Sequence, residues 1–321
     1  MSEFTLHTTT AADAGALRTI RLEALLDSPE AFGSTYDEVV AWPPERWAEA
    51  AEQRVYVLAE TEGRIVGMAA GGYNERYPDT HWLYGMFVSA RYRGAGVAEQ
   101  LVTEINRWAR EDGATALWLH VIDVVARART FYRRLGFVET GEVTNLDRDP
   151  RRQLITMVRP LGHEVADLAF RVEVVDAARL HDVRRRVLRG DDPAKVVEDP
   201  RDNDELALHV AGLRGARLVV TSSYYPSTSP VHPDRPTYQL RYMATETDVQ
   251  GRGYGARVGA VGESILWGRG VRELWANGRD TALAFYRATG WETIAGSEHL
   301  SPETGLPHTM IVKELTGRTV Q

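Results

Sequence analysis

The sequence predicts an α/β fold (of the α+β kind) in two domains, residues 1–161 and 162–321, on three observations. A glycine-rich stretch occurs twice, as Arg93-Gly94-Ala95-Gly96-Val97-Ala98 and Gln250-Gly251-Arg252-Gly253-Tyr254-Gly255. Each copy follows an apolar run with strand character (Trp82 to Val88; Tyr238 to Thr245) and opens a run with helical spacing. Each is then followed, at nearly the same distance, by a second shared stretch: Phe131-Tyr132-Arg133-Arg134-Leu135-Gly136-Phe137 and Phe285-Tyr286-Arg287-Ala288-Thr289-Gly290-Trp291. The copies lie half a chain apart. That is a tandem duplication of one domain, too long in period and too few in copies for a solenoid.

Composition bounds what such domains can be. With 321 residues, 43% apolar and 26% charged, the chain is globular and each half is long enough for its own core. The absence of cysteine removes disulfides, thiolate metal ligands and a cysteine nucleophile together. Net charge is −7 with a pI near 5.8, and the arginines are scattered. Phosphate-backbone affinity needs clustered cations, so no nucleic-acid partner is expected. No basic segment leads into an apolar one, and no apolar run approaches about 18 residues. A cytoplasmic protein with no membrane contact is expected, as a monomer (an internal pseudo-dimer) or a homodimer.

Taken in order, Phe4 to Thr10 alternates like a half-buried strand, and Leu17, Ile20, Leu22 and Leu25 form the apolar stripe of a helix with Asp13 in its first turn. After Ser28-Pro29, Pro43 and Pro44 open a second helix containing Trp47. Val55 to Thr61 and Ile65 to Tyr73 are strands joined by the hairpin-like Glu62-Gly63-Arg64. Beyond the first glycine loop, Val97, Leu101, Ile105 and Trp108 share one helix face, and Asp112-Gly113 ends that helix. Ala116 to Val121 is a strand, a helix bears Phe131 and Tyr132, and Leu154 to Val158 is a final strand. A linker is expected around Pro160 to Asp167. The second half repeats the order: strand Phe170 to Val175, helix Asp176 to about Leu188, strands Leu206 to Leu213 and Leu218 to Ser223. Tyr225 through Pro236 is a proline- and serine-rich loop whose composition suggests mobility. Gly259 and Gly262 interrupt the next helical pattern at up to about 1 kcal/mol each, unless a neighbour packs closely there.

A glycine-rich turn between strand and helix is an anion site. Its glycines admit a ligand close to the backbone, and the first helical N–H groups point outward with the positive end of the helix dipole behind them. At this point a resemblance becomes specific. Both loops are similar to the Gln/Arg-x-x-Gly-x-Gly/Ala acetyl-CoA signature of the GNAT acyltransferase superfamily, as Arg93-x-x-Gly96-x-Ala98 and Gln250-x-x-Gly253-x-Gly255. Both Phe-Tyr-x-x-x-Gly-Phe/Trp stretches resemble that family's motif on the helix after the fifth strand. The resemblance implies two domains, each a mixed, mostly antiparallel sheet flanked by helices. It also implies acetyl-CoA as co-substrate, no metal, and transfer of acetyl to a primary amine.

On that resemblance the cofactor contacts are Met86, Phe87, Val88 and Arg93, Gly94, Ala95, Gly96, Val97, Ala98 in one half. In the other they are Met243, Ala244, Thr245 and Gln250, Gly251, Arg252, Gly253, Tyr254, Gly255. A backbone N–H beside the strand stabilises the oxyanion when the amine attacks directly, which suits a chain without cysteine. The resemblance makes Tyr132 and Tyr286 the acids that protonate the departing thiolate. A phenol at about 10 gives its proton to a thiolate at about 8.5 uphill by roughly 2 kcal/mol. The other reading is two core aromatics beside Phe131 and Phe285. For the base, no acid occurs in Leu83-Tyr84-Gly85 or Leu240-Arg241-Tyr242. His120 and Asp123 are the first-domain candidates, equally suited to strand-end solvation or capping, and Asn277, His299 and His308 are polar possibilities in the second. Val125 stands where many members have asparagine. The helix-loop-helix of the first half covers the family's acceptor side, so Glu23, Glu30, Asp37 and Glu38 either face a cationic acceptor or are simply solvated.

Gly251-x-Gly253-x-x-Ala256 with Glu273 downstream also fits a relaxed dinucleotide fingerprint, but the first copy breaks it with Glu99. No Gly-Lys-Ser/Thr makes a Walker loop, and no His/Asp/Glu spacing indicates a metal site. The expected acceptor is a small-molecule amine, polyamine, amino acid or aminoglycoside rather than a protein N-terminus or lysine. The rival is a non-catalytic acyl-CoA sensor or structural half in one or both domains.

Overall fold

Period-two alternation and turn chemistry build the first sheet. In the computed structural model, which describes residues 4–317, its strands and helices are β1 (Thr5–Thr8), α1 (Ala14–Asp27), α2 (Tyr36–Val40), α3 (Pro44–Gln53), β2 (Val55–Thr61), β3 (Arg64–Asn74), β4 (Tyr77–Val88), α4 (Val97–Glu111), β5 (Ala116–Ile122), α5 (Ala126–Arg134), β6 (Val138–Leu146) and β7 (Asp149–Pro160). The strands lie in the order β1-β2-β3-β4-β5-β7-β6. All neighbours pair antiparallel except β4 and β5, which are parallel. Glu62 and Gly63 both take positive φ, +52° and +72°, as a tight hairpin turn requires. Leu117, Leu119 and Val121 face α4 with its Val97, Leu101 and Ile105. On the opposite face Leu58, Met68 and Phe87 meet Leu17 and Ile20 of α1 and Trp47 of α3. Each such large side chain contributes roughly 1.5–3 kcal/mol by leaving water.

The second unit, from Gly162 to Gly317, repeats the plan with β8 (Phe170–Val174), α6 (His181–Val183), β9 (Leu208–Arg214), β10 (Arg217–Pro226), β11 (Thr237–Thr245), α7 (Tyr254–Gly268), β12 (Glu273–Arg279), α8 (Leu283–Ala288), β13 (Glu292–Thr293), β14 (His299–Leu300) and β15 (Pro307–Glu314). The path is β13-β15-β12-β11-β10-β9-β8, with β14 on β15. Here the parallel pair is β11 with β12. Both sheets are therefore mixed, mostly antiparallel and flanked by helices.

Three sequence expectations gain detail. The helix expected over Asp176 to Leu188 is a 3-10 turn at Ala177–Leu180, one turn of α6, and a π turn at Arg184–Leu188. Its inner face buries Leu180 and Val183 and also the guanidinium of Arg184, at 1% exposure, so this turn carries an ion pair where a plain helix would present an apolar stripe. Of the Tyr225–Pro236 segment, Tyr225 and Pro226 end β10, and the rest is hydrogen-bonded through Ser229: its N–H donates to Thr237 Oγ1 (2.9 Å) and its buried Oγ accepts from the N–H groups of Val231 and His232. Helix α7 runs unbroken through Gly259 and Gly262, because the ring of Tyr224 lies where a Gly262 Cβ would be, 2.5 Å away.

Candidate functional site

Each glycine loop is tied to the strand before it by the first residue of its signature. Arg93 Nε donates to the carbonyl of Val88 (3.0 Å), and Gln250 Nε2 donates to the carbonyl of Thr245 (3.0 Å). Gly94 and Gly96 have φ of +80° and +86°, and Gly251 and Gly253 of +75° and +78°. An L side chain in this left-handed region costs about 1–2 kcal/mol, so conformation alone selects glycine. Gly96 and Gly253 are the N-caps of α4 and α7. The N–H groups of Val97 and Ala98, and of Tyr254 and Gly255, therefore have no partner within their helices and face the loop, as a phosphate cradle needs. A Cβ on Gly255 would press on Thr245 Oγ1 at 3.2 Å, so this glycine also lets α7 approach the strand.

The strands complete the cradle. β4 and β5 pair at His81–Leu117 and Trp82–Trp118 and then diverge; β11 and β12 pair from Thr237–Glu273 to Gln239–Trp275 and then diverge. Beyond these points the inner edges at Met86–Val88 and Met243–Thr245 are open to amide pairing with an extended ligand. A β-bulge falls at the same place in both, opposite Met68–Ala70 in one sheet and Thr221–Ser223 in the other. It is made by Gly85 (φ +56°) in the first sheet and by Tyr242 (φ +55°) in the second. A tyrosine in this conformation is strained. Its ring is held by the guanidinium groups of Arg184 and Arg241, 4.2 and 4.9 Å from its centroid. Such a bulge bends the strand beside a site and re-aims its backbone.

In the second domain these parts surround one cleft of about 970 Å³. Met243, Ala244, Thr245, Gln250, Gly251, Gly253, Tyr254 and Gly255 line it together with Tyr286, Asn277, His299 and His308. Arg252 is exposed in the loop and is not among the lining residues. The Tyr254 side chain is committed to packing: its ring stacks on Phe170 at 4.1 Å and its hydroxyl donates to Asp167. His299 and His308 sit opposite each other on β14 and β15, with rings 6.2 Å apart. Each places Nδ1 2.9 Å from a backbone carbonyl, of Ser297 and Leu306 respectively. A carbonyl only accepts, so Nδ1 carries the hydrogen and Nε2 of the neutral ring is the basic nitrogen.

Tyr286 and Tyr132 are buried core aromatics in matching settings, edge-on to Phe285 and Trp291 and to Phe131 and Phe137. Tyr286 also lines the cleft, so in the second domain the core reading and the acid reading describe one residue. Burial pushes its phenol up to about 12, with Arg279 pulling slightly the other way. Burial pushes Tyr132 up as well. The uphill step to a thiolate at about 8.5 thus grows from roughly 2 to roughly 5 kcal/mol, less whatever the same dry surroundings add to the thiol.

The first-domain candidates are separated in role. His120 lies against the Trp82 ring at 4.6 Å, burial holds its imidazole below the ordinary value, and its buried Nε2 has no hydrogen-bond partner among the described residues. Asp123 caps its own turn, accepting from the N–H of Val124 at 2.9 Å. Of the four acids near α1 and α2, Glu23 accepts from Ser89 Oγ (2.6 Å) and lines a surface depression, Glu38 closes the capping box with Thr35, and Glu30 and Asp37 are exposed. Arg189, Arg241 and Glu303, which also line the second cleft, were not among the residues the sequence singled out. Tyr242 could have been found, since the spacing of the two loops sets it against Gly85. Among the described residues no group of three His, Asp or Glu side chains is placed to hold a metal ion, and no helix is long and apolar enough to cross a membrane.

Two sheets, each with a strand-anchored glycine loop and a parallel pair that opens beside it, give two domains of one mixed α/β plan. Residues 19–137 match the Acetyltransferase (GNAT) family. It is 35% identical over 96 residues to streptothricin acetyltransferase of Streptomyces lavendulae, covering 29% of this chain and 49% of that protein. It is 30% identical over 93 residues to probable N-acetyltransferase family 8 member 5 of Mus musculus, covering 28% and 40%. The chain thus spans about half or less of the curated relatives it matches. Among solved structures, an N-acetyltransferase from Staphylococcus aureus Mu50 aligns with a TM-score of 0.42 at 20% identity, covering 50% of this chain and all of that one.

Proposed function

We propose that this protein transfers acetyl from acetyl-CoA directly to the primary amine of a small molecule, and that the second domain carries a working site. The observation behind this reading is the single cleft in which the phosphate loop, the open edge Met243–Thr245 and Tyr286 meet. The N–H groups at the start of α7 would receive the pyrophosphate, and the strand edge would pair with the pantetheine amides. The amine nitrogen attacks the thioester carbonyl, a C–N bond forms and the C–S bond breaks. Nε2 of His299 or His308 takes the ammonium proton, and Tyr286 gives its hydroxyl proton to the thiolate. One proton is released for each acetyl transferred, and Tyr286 is re-protonated from solvent or the histidine.

Calorimetric titration with acetyl-CoA tests the reading on the intact chain and on Gly96→Asp and Gly253→Asp. Each substitution strains a left-handed position by about 1–2 kcal/mol and places a negative charge in an anion site. Gly253→Asp is expected to remove the heat of binding at the second domain while the fold, followed by circular dichroism, persists. An intact chain that gives no heat with acetyl-CoA contradicts the proposal. The acceptor is then sought by thiol release with a panel of small amines, polyamines, aminoglycosides and peptides. Turnover confined to peptide N-termini or lysines would reverse the small-molecule assignment.

A further inference from the structure

The acceptor half of the second cleft holds a charge arrangement that transfer of acetyl does not need. Arg189, beside the π turn, and Arg241, on β11, both reach into the cleft and both bind the same carboxylate. Glu303, in the turn between β14 and β15, accepts from Arg189 Nη2 at 2.8 Å through one oxygen and from Arg241 through the other. The neighbouring acids are already matched. Asp199 is bound by both the Nε and Nη2 of Arg201 (2.9 and 3.0 Å), and Asp202 by Arg184 (2.8 Å), so neither depends on Arg189 or Arg241 for neutralisation. Among the described residues Arg189 otherwise donates to the carbonyl of Val196 (3.2 Å), and Arg241 adds a third contact to the satisfied Asp199 (3.0 Å).

Glu303 is the loosest member. Its side chain is 46% exposed, against 13% and 26% for Arg189 and Arg241. Its hairpin turn is flanked by the exposed apolar residues Leu300 and Leu306. With that turn moved outward, Arg189 would face the cleft without a counter-charge and Arg241 would keep only its share of Asp199, which Arg201 already binds twice. Guanidinium binds carboxylate through paired charge-assisted hydrogen bonds, so the vacated place fits a carboxylate. The position that the repeat sets against Arg241 is Tyr84, so the first domain lacks this feature.

We propose that the acceptor at the second domain is an amine bearing a carboxylate, an amino-acid-like molecule whose carboxylate displaces Glu303 from Arg189 and Arg241. This rests on the acetyl-CoA reading of the same cleft. The amine of such a molecule then lies on the side of His299 and His308, and the apolar turn closes over its side chain.

The test is thiol release from acetyl-CoA with L-amino acids, each compared with its own α-carboxamide, on the wild type and on Arg189→Gln, Arg241→Gln and Glu303→Ala. Acids are expected to exceed amides in kcat/KM by about tenfold or more, the scale of one or two charge-assisted hydrogen bonds. Each arginine variant should erase that preference while still acetylating amides, and Glu303→Ala should lower KM for acids by removing the competing carboxylate. Glu303 is on the surface, so this arm survives if an arginine variant misfolds. A protein that binds acetyl-CoA by calorimetry, yet treats acids and amides alike or acetylates neither, overturns the carboxylate proposal alone. Failure to bind acetyl-CoA overturns the reading beneath it.

Discussion

Burial has two effects on Tyr286 that must be weighed together. It keeps the phenol protonated, since a group pushed up to about 12 stays neutral across the working range, and it makes the phenol a weaker acid. Donation is therefore expected only as the C–S bond breaks, when the thiolate is nascent in the same dry cavity. The consequence for pH is directional. Activity should rise with pH as the acceptor amine loses its proton, and no descending limb should come from Tyr286 below about pH 11. Tyr286→Phe should lower kcat by roughly 10²–10⁴-fold, the usual scale of general acid catalysis, and leave acetyl-CoA affinity nearly unchanged. A pH–rate profile of both proteins decides the matter; an alkaline limb near pH 9 that vanishes in the variant would show the phenol titrating where burial says it cannot. The duplicated pattern in register pointed to Tyr286 and the second loop, which line the cleft, and equally to Tyr132, which is a buried core aromatic. Arg189, Arg241 and Glu303 were not legible, because no local pattern links three residues that meet only when β11, the π turn and a distant hairpin come together.

At the scale of elements, the two domains solve one packing problem in opposite ways. In the first, Gly71 on β3 makes room for Trp108 of α4, whose ring lies 2.5 Å from where a Gly71 Cβ would be. In the second, the matching strand residue is Tyr224 and the small partner is Gly262 on the helix, again at 2.5 Å. The pairs match because Gly71 sits opposite Leu83 and Tyr224 opposite Leu240, which are equivalent strand positions. The two glycines that weakened the helical pattern of α7 are thus not alike. Gly262→Ala should destabilise the second domain by about 1–3 kcal/mol through overpacking against a buried ring. Gly259→Ala, whose Cβ would meet nothing nearer than 3.9 Å, should be neutral or gain up to about 1 kcal/mol in helix propensity. Thermal melts of the two variants separate them, and equal Tm values would refute the packing account. The same logic explains why the helix expected over Asp176 to Leu188 keeps its span but changes its type. The stripe from Asp176 to Leu188 is apolar at Leu180 and Val183, but the buried Arg184 needs Asp202, and the chain widens to a π turn to bring them together.

Across the whole molecule the two copies share a fold but not the charge around the phosphate loop. In the first, the signature residue Arg93 is paired with Asp27 at the end of α1, and Ser28 beside it accepts from Arg127 of α5. A hydrogen bond from Ser28 and the Arg93 guanidinium hold the Asp27 carboxyl below its usual range, so it is charged at neutral pH. A phosphate entering this loop meets that carboxylate and must compete with it for Arg93. In the second, the signature residue is the neutral Gln250, and the position that the repeat sets against Asp27, counting from Leu17 and Ile20 against Leu180 and Val183, is the uncharged Gly190. Sequence similarity to the family is recorded over the first domain, whereas the cleft that gathers the loop, the strand edge and the tyrosine is in the second. The two sites should therefore bind acetyl-CoA unequally, the second more tightly. In a Gly253→Asp background, where only the first loop titrates, Asp27→Asn should tighten binding by roughly threefold at low salt, the ~0.2–1 kcal/mol scale of an exposed charge pair, and by less as screening rises. Calorimetry at two ionic strengths reads this directly. Equal affinities in the two glycine variants, or an Asp27→Asn variant that binds no better, would mean that the difference between the copies lies in the acceptor half of each cleft and not at the phosphate.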